Sequence, residues 1–193
     1  RAREVVRARG DAGADVYLTE QLTPIFAWLR GVPGARCVGS EFLGPGITGG
    51  ALDAAGIRHE DVERLSFPEA QFDLVISNDV LEHVNDPRAA LREMRRVLRP
   101  GGVLLMTVPF HANLDTSVTR AVLEGPRLVH HLPPVVHVNP IAEDGSLVFT
   151  DFGWDFLAQM REAGFADVAL HIYWDETKGY FGVGQHYIRA HRP

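Results

Sequence analysis

The stretch from Phe72 to Phe110 constrains this chain more than any other. FDLVISN (72–78) is an almost unbroken apolar run of strand length, as expected of a strand covered on both faces. Asp86-Pro87 then opens a helix, with the acid as cap and the proline at the first helical position. Leu91, Met94, Val97 and Leu98 fall on one face of it, and Arg92, Arg95, Arg96 and Arg99 fall elsewhere. Pro100-Gly101-Gly102 ends the helix, and VLLMTVPF (103–110) reads as a second buried strand. Two buried strands joined through a helix make a parallel β-α-β unit with a right-handed crossover. Such a unit needs a sheet with helices on both faces.

The rest of the chain supplies that sheet. DVYLT (15–19) is a short strand, and Thr23-Pro24 starts a helix that stops at Gly31. ARCVGSEF (35–42) is a second strand, GPGITGG a loop, and GIRHED (56–61) a third, shorter strand. Residues 111–150 carry four prolines and a run of histidines, which predicts an irregular insertion with one helix around 116–124. A helix returns at 154–163 and closes at Gly164, and ADVALHIYW (166–174) and VGQHYIRA (183–190) pair as an antiparallel hairpin at the sheet edge. The sum is an α/β fold, a Rossmann-like doubly wound and mostly parallel seven-stranded sheet, in one domain over residues 1–193. In such sheets ligands sit beyond the carboxyl ends of the strands.

Composition removes several function classes. Twenty-five acidic residues against 19 basic ones give a net charge of −6, so the basic field that a nucleic acid requires is missing and none is expected as a partner. The lone cysteine, Cys37, has no disulfide partner and builds no metal cluster, so a reducing, cytoplasmic setting is expected. No apolar run approaches the roughly 20 residues that span a bilayer, so no membrane association is expected. The opening RAREVVRARG has no signal-peptide core. The chain opens at Arg1 and not at Met, and a truncated N-terminus is the expectation.

The segment from Asp61 to Pro109 resembles the central part of class I S-adenosylmethionine-dependent methyltransferases, of the type 11-like kind. The likeness rests on an acid, then L-S-F-P, F-D-L-V at a strand, V-L-E-H-V, and a helix ending in L-R-P-G-G before the next strand. It implies S-adenosyl-L-methionine as cofactor and a small molecule as methyl acceptor. By this resemblance Glu41, at the end of the second strand, accepts hydrogen bonds from the ribose hydroxyls. Asp61 receives the adenine amino group, the Val62 backbone N–H faces the ring, Phe42 lies against the adenine, and Asn78 lines the methionine end.

One departure stands beside the match. Family members carry a glycine-rich loop after the first strand, where the missing side chains admit the cofactor. Here that place is YLTEQLTP, in which Glu20 stands 21 residues before Glu41, and it contains no glycine. Thr19 and Glu20 are read as an altered cofactor loop. A second reading, a degenerate methyltransferase fold that binds a partner without turnover, draws on this loop, and Glu41 and Asp61 speak against it. A nicotinamide-dependent dehydrogenase of related fold would need a G-x-G-x-x-G fingerprint, which is missing.

Four histidines are candidates for a general base: His83, beside Glu82 in VLEHV, then His111, His131 and His137. Imidazole suits that work because its unperturbed pKa lies near neutrality. His130 and His131 with His137 six residues on share no helical face, and no acid stands at a ligand spacing among them, so no metal site is expected. The insertion around them is read as a lid over the acceptor pocket.

Overall fold

A computed structural model describes residues 1–139 and 141–193, with backbone alone for 142–143 and 180–184. Pro140, within the expected insertion, lies outside the described residues. A six-stranded sheet forms the centre, in the order β11-β12-β4-β3-β1-β2. Its strands are β1 (Ala14–Leu18), β2 (Ala35–Gly39), β3 (Phe72–Asn78), β4 (Leu98–Thr107), β11 (Ala166–Asp175) and β12 (Tyr180–His191). The first four run parallel, and β12 is antiparallel to both β4 and β11. The doubly wound sheet with a C-terminal hairpin is as the sequence predicts, with β11 at the edge and β12 inside it.

The expected third strand, 56–61, is a correction. It pairs only through the parallel bridge Glu41–His59 and the antiparallel bridge Leu52–Arg58, so the sheet has six full strands and the margin of a seventh. Arg58 and Glu60 turn to each other, Nε to Oε1 2.8 Å, which draws this segment into side-chain contacts of its own.

Helices α1 (Ala2–Ala8) and α2 (Pro24–Arg30) bring Val6, Phe26 and Leu29 onto the sheet face that carries Val16, Leu74 and Leu105. Gly39 lets α2 come close, since a Cβ there would stand 2.8 Å from the Phe26 ring. The other face takes α3 (Pro87–Val97) and α4 (Phe156–Glu162), with Leu91, Met94, Phe156 and Met160 against Val75 and Leu104. Thr23 caps α2 by accepting from the Phe26 N–H at 3.3 Å, and Asp86 caps α3 by accepting from the Ala89 N–H at 2.9 Å. Gly164, at φ 94°, turns the chain out of α4 in a conformation that side chains avoid.

Two further expectations are corrected. β4 begins at Leu98, before Pro100-Gly101-Gly102, because Leu98 already pairs with Phe72 and the chain bulges before Val103 takes up the register opposite Leu74. The helix expected at 116–124 is absent. β5 (Val118–Thr119) instead pairs with β10 (Thr150–Asp151), and β6 (Ala121–Glu124) with β7 (Arg127–His130). β-branched Val118, Thr119 and Val122 suit strands, and Gly125-Pro126 makes the two-residue turn between Glu124 and Arg127. β8 (Val136–Asn139) and β9 (Ala142–Leu147) form a third ladder. The insertion is thus a set of small ladders joined by irregular chain.

Candidate active site

The carboxyl ends of β1, β2 and β3 meet at one rim of the sheet, and acids gather there. Glu20 follows β1 directly. Its Oε1 accepts from the Asn78 backbone N–H at 2.7 Å and its Oε2 from the Thr19 hydroxyl at 2.5 Å, so the side chain fills the gap between β1 and β3. Burial, relieved in part by these hydrogen bonds and reinforced by the nearby Glu41 charge, pushes the Glu20 carboxyl up to about 7. Glu41, just beyond β2, accepts from the Leu22 N–H at 2.8 Å, and burial raises its pKa too. The glycine-free loop is held by the Gln21 N–H donating to the Ser40 carbonyl at 2.9 Å and the Thr19 N–H donating to the Ile76 carbonyl at 3.1 Å.

The Glu41–His59 bridge sets the relation between the two spaced acids. The Glu41 N–H donates to the Arg58 carbonyl at 2.8 Å and the Glu60 N–H to the Glu41 carbonyl at 3.1 Å. Asp61 follows two residues after His59, the bridge partner of Glu41. Asp61 closes a local turn by accepting from the Glu63 N–H at 2.9 Å, and Val62 is buried beside it. Phe42 is 54% exposed, with its ring 5.4 Å from that of His59. Sequence reading passed over His59, which is buried and accepts the Leu43 N–H on Nδ1 at 3.0 Å, holding the chain after Glu41.

As a donor set, this rim suits a cationic nucleoside. Glu41 and Asp61 are acceptors for hydroxyl and amino groups, Phe42 offers an exposed ring, and the concentration of acids favours positive charge. The residues present therefore fit S-adenosylmethionine.

The structure sorts the four histidines into three surroundings. His83 and His137 come together, with ring centroids 5.1 Å apart and edge to face, and both point at the buried Glu82. Adjacency in VLEHV marked Glu82 and His83. Nothing local marked His137, which β8 brings across 54 positions of sequence. His111 follows β4 and stands 3.9 Å from Asp151 Oδ1. His131 is exposed, its backbone N–H donating to the Arg120 carbonyl at 2.8 Å.

A cavity of about 480 Å³ opens at the ends of β3 and β4, lined by Asn78, Thr107, Ile25, His171, His186 and Tyr187 among others. It lies on the α1–α2 side of the sheet, because Ile76 and Leu105 in its wall belong to the core on that face. The insertion flanks the opposite side, where the Phe149 N–H donates to the Glu82 carbonyl at 2.6 Å.

Residues 31–106 match the family model described as a methyltransferase domain. Over 136 residues the chain is 32% identical to a malonyl-[acyl-carrier protein] O-methyltransferase from Hahella chejuensis, covering 69% of this chain and 44% of that protein. It is 33% identical over 152 residues to a demethylmenaquinone methyltransferase from Mycobacterium tuberculosis, covering 72% of this chain and 64% of that one. The chain thus spans less than two thirds of either relative. Among solved structures, an S-adenosylmethionine-dependent methyltransferase from Methanosarcina mazei superposes with a TM-score of 0.58 at 16% identity, over 97% of this chain and 96% of its own. A 1,6-didemethyltoxoflavin-N1-methyltransferase from Burkholderia thailandensis, solved with 1,6-didemethyltoxoflavin and S-adenosylhomocysteine, superposes with a TM-score of 0.56 at 18% identity, over 99% of this chain and 76% of its own.

Proposed function

We propose, for a chain that belongs to the class I S-adenosylmethionine-dependent methyltransferases, methyl transfer to an O, N or C nucleophile of a small metabolite. The observation that supports this reading is the parallel bridge Glu41–His59, with Asp61 two residues beyond it in the chain. In it, Glu41 holds the ribose hydroxyls, Asp61 and the Val62 N–H hold the adenine, and Phe42 covers the ring. Thr19, Glu20 and Asn78 line the methionine end. Glu20 takes the place of the usual glycines as a buried acid facing a positively charged group.

S-adenosylmethionine supplies an electrophilic methyl group on a sulfonium. What remains for the protein is to hold the acceptor in line with it and to keep water out. The cavity ending at Asn78 and Thr107 is a place for the acceptor beside that end of the rim. The acceptor is proposed as a class only, because the named relatives act on unlike substrates and a fold does not select among them.

Calorimetric titration of the full chain with S-adenosylmethionine and S-adenosylhomocysteine tests the reading. Both bind, and Glu41→Ala weakens binding by about 1.5–3 kcal/mol, the range for a hydrogen bond to a charged group and equivalent to roughly 10- to 150-fold. Unchanged affinity in that variant removes Glu41 from the ribose. Absence of binding by the wild type up to millimolar concentration favours the degenerate, non-catalytic alternative.

A further inference from the structure

Glu82 is 0% exposed, yet neither of its carboxylate oxygens has a hydrogen-bond partner. Buried carboxylates are ordinarily hydrogen-bonded, ion-paired or bound to a metal, because stripping water from one without replacement is costly. The groups facing Glu82 Oε1 are His83 Nε2 at 3.5 Å and His137 Nδ1 at 3.6 Å. Both distances are too long for good hydrogen bonds. They are close to the spacing of ligands around a tetrahedral ion: donors about 2.0–2.1 Å from zinc stand about 3.3 Å from one another. The three donor atoms all lie within 4.8 Å of each other, so a small closure of His83 on His137 completes the set.

The outer surroundings point the same way. His83 Nδ1 lies 2.8 Å from the Leu147 carbonyl, which can only accept. The Nδ1 proton is therefore fixed there, and the Nε2 lone pair faces Glu82. A ring nitrogen bound to a backbone carbonyl on one side with the other free to coordinate is the usual arrangement of a metal-bound histidine. The edge-to-face packing of the two rings, 89° between planes, turns each to present a nitrogen to a shared point. Asp79 and Glu20 add negative charge around Glu82, which suits a cation.

We propose that Glu82, His83 and His137 bind one divalent cation of the zinc class. Two imidazoles and one carboxylate favour zinc, cobalt, nickel or iron(II) over magnesium or calcium, whose preferred ligands are all oxygens. Three protein donors leave a coordination position open, as in catalytic rather than structural zinc sites. The position, between the end of β3 and the insertion, makes the bound ion a candidate holder of an acceptor oxygen or nitrogen. This goes beyond the methyl-transfer reading and stands on different residues.

The experiment is a calorimetric titration of the metal-stripped full chain with Zn²⁺ in the absence of nucleoside, paired with a Co²⁺ titration followed by visible absorption. One equivalent binds, Co²⁺ develops the visible bands of a low-coordinate site, and excess Mg²⁺ does not displace it. Glu82→Gln and His137→Ala each weaken Zn²⁺ binding at least ~10-fold and abolish the cobalt bands, as expected when a ligand is lost. His130→Ala, on the same insertion but outside the cluster, leaves both unchanged. Failure of the wild type to take up one equivalent, or undiminished uptake by both ligand variants, overturns the proposal. Far-UV circular dichroism checks folding, and if Glu82→Gln does not fold, the half-exposed His137→Ala carries the test. Because no nucleoside is present, a negative result here leaves the Glu41 reading standing.

Discussion

At the scale of single residues, Glu20 makes the sharpest prediction. Its carboxyl is raised to about 7 in the folded chain, chiefly by burial, from 4.5. Between those values the folded chain holds a proton that the unfolded chain has released. Stability from this group is therefore full below about pH 4.5 and is lost as pH rises through 7, by roughly 3 kcal/mol in total. Glu20→Gln stays neutral and escapes the loss, so its urea midpoint gains on that of the wild type between about pH 5 and pH 8. A constant difference across that range refutes the shift. If Glu20 faces the methionine end, affinity for S-adenosylmethionine also rises over the same interval in the wild type, as the carboxylate forms, and stays flat in the variant. The spacing to Glu41 was enough to place Glu20 in the altered loop. Its burial was not legible, because the backbone N–H that Oε1 accepts from belongs to Asn78, 58 positions away.

At the scale of elements, α3 shows what local chemistry can announce. Asp86, Pro87 and the Leu91–Met94–Val97 face are all readable in order, and all are found in their expected roles. Asp86→Ala, by removing the bond from the Ala89 N–H, lowers stability by about 1 kcal/mol. Met94→Ala, which opens a hole against the sheet, lowers it by about 2–5 kcal/mol. Thermal or urea unfolding separates the two, and equal effects contradict the division between cap and core. The insertion shows the opposite case. A helix was expected where β5 and β6 stand: β5 finds its partner far along the chain, Thr119 with Thr150, while β6 pairs with β7 across the two-residue turn Gly125-Pro126. Likewise, His137 looked unrelated to any acid because its neighbour Glu82 lies on a different element.

At the scale of the molecule, the two rims of the sheet do different work. Opposite the candidate site, Asp73 accepts from the Asp15 N–H at 2.9 Å and pairs with Arg9 at 2.9 Å and Arg99 at 2.7 Å, tying the cap of α1, β1 and β4 to β3. Asp73 is 4% exposed. Asp73→Ala removes the acceptor of the Asp15 N–H and one partner each of Arg9 and Arg99, Arg99 keeping Asp15, and lowers stability by about 1.5–3 kcal/mol, while nucleoside affinity of the folded protein, measured at low temperature, stays that of the wild type. A parallel loss of affinity would mean that the rims are coupled.

The outer margin of the sheet is fastened lightly. Beyond β2, the chain from Leu52 to Asp61 is sewn on through single bridges, and Glu41 shares just two backbone bonds with it. Amide protons there exchange with solvent sooner than those of β1 or β3, since little has to open to expose them. On the proposed ribose and adenine contacts of Glu41 and Asp61, a bound nucleoside adds a further tie across this margin, and deuterium uptake along residues 56–62 is expected to slow when it is present. On that reading, the ligand itself completes the last strand.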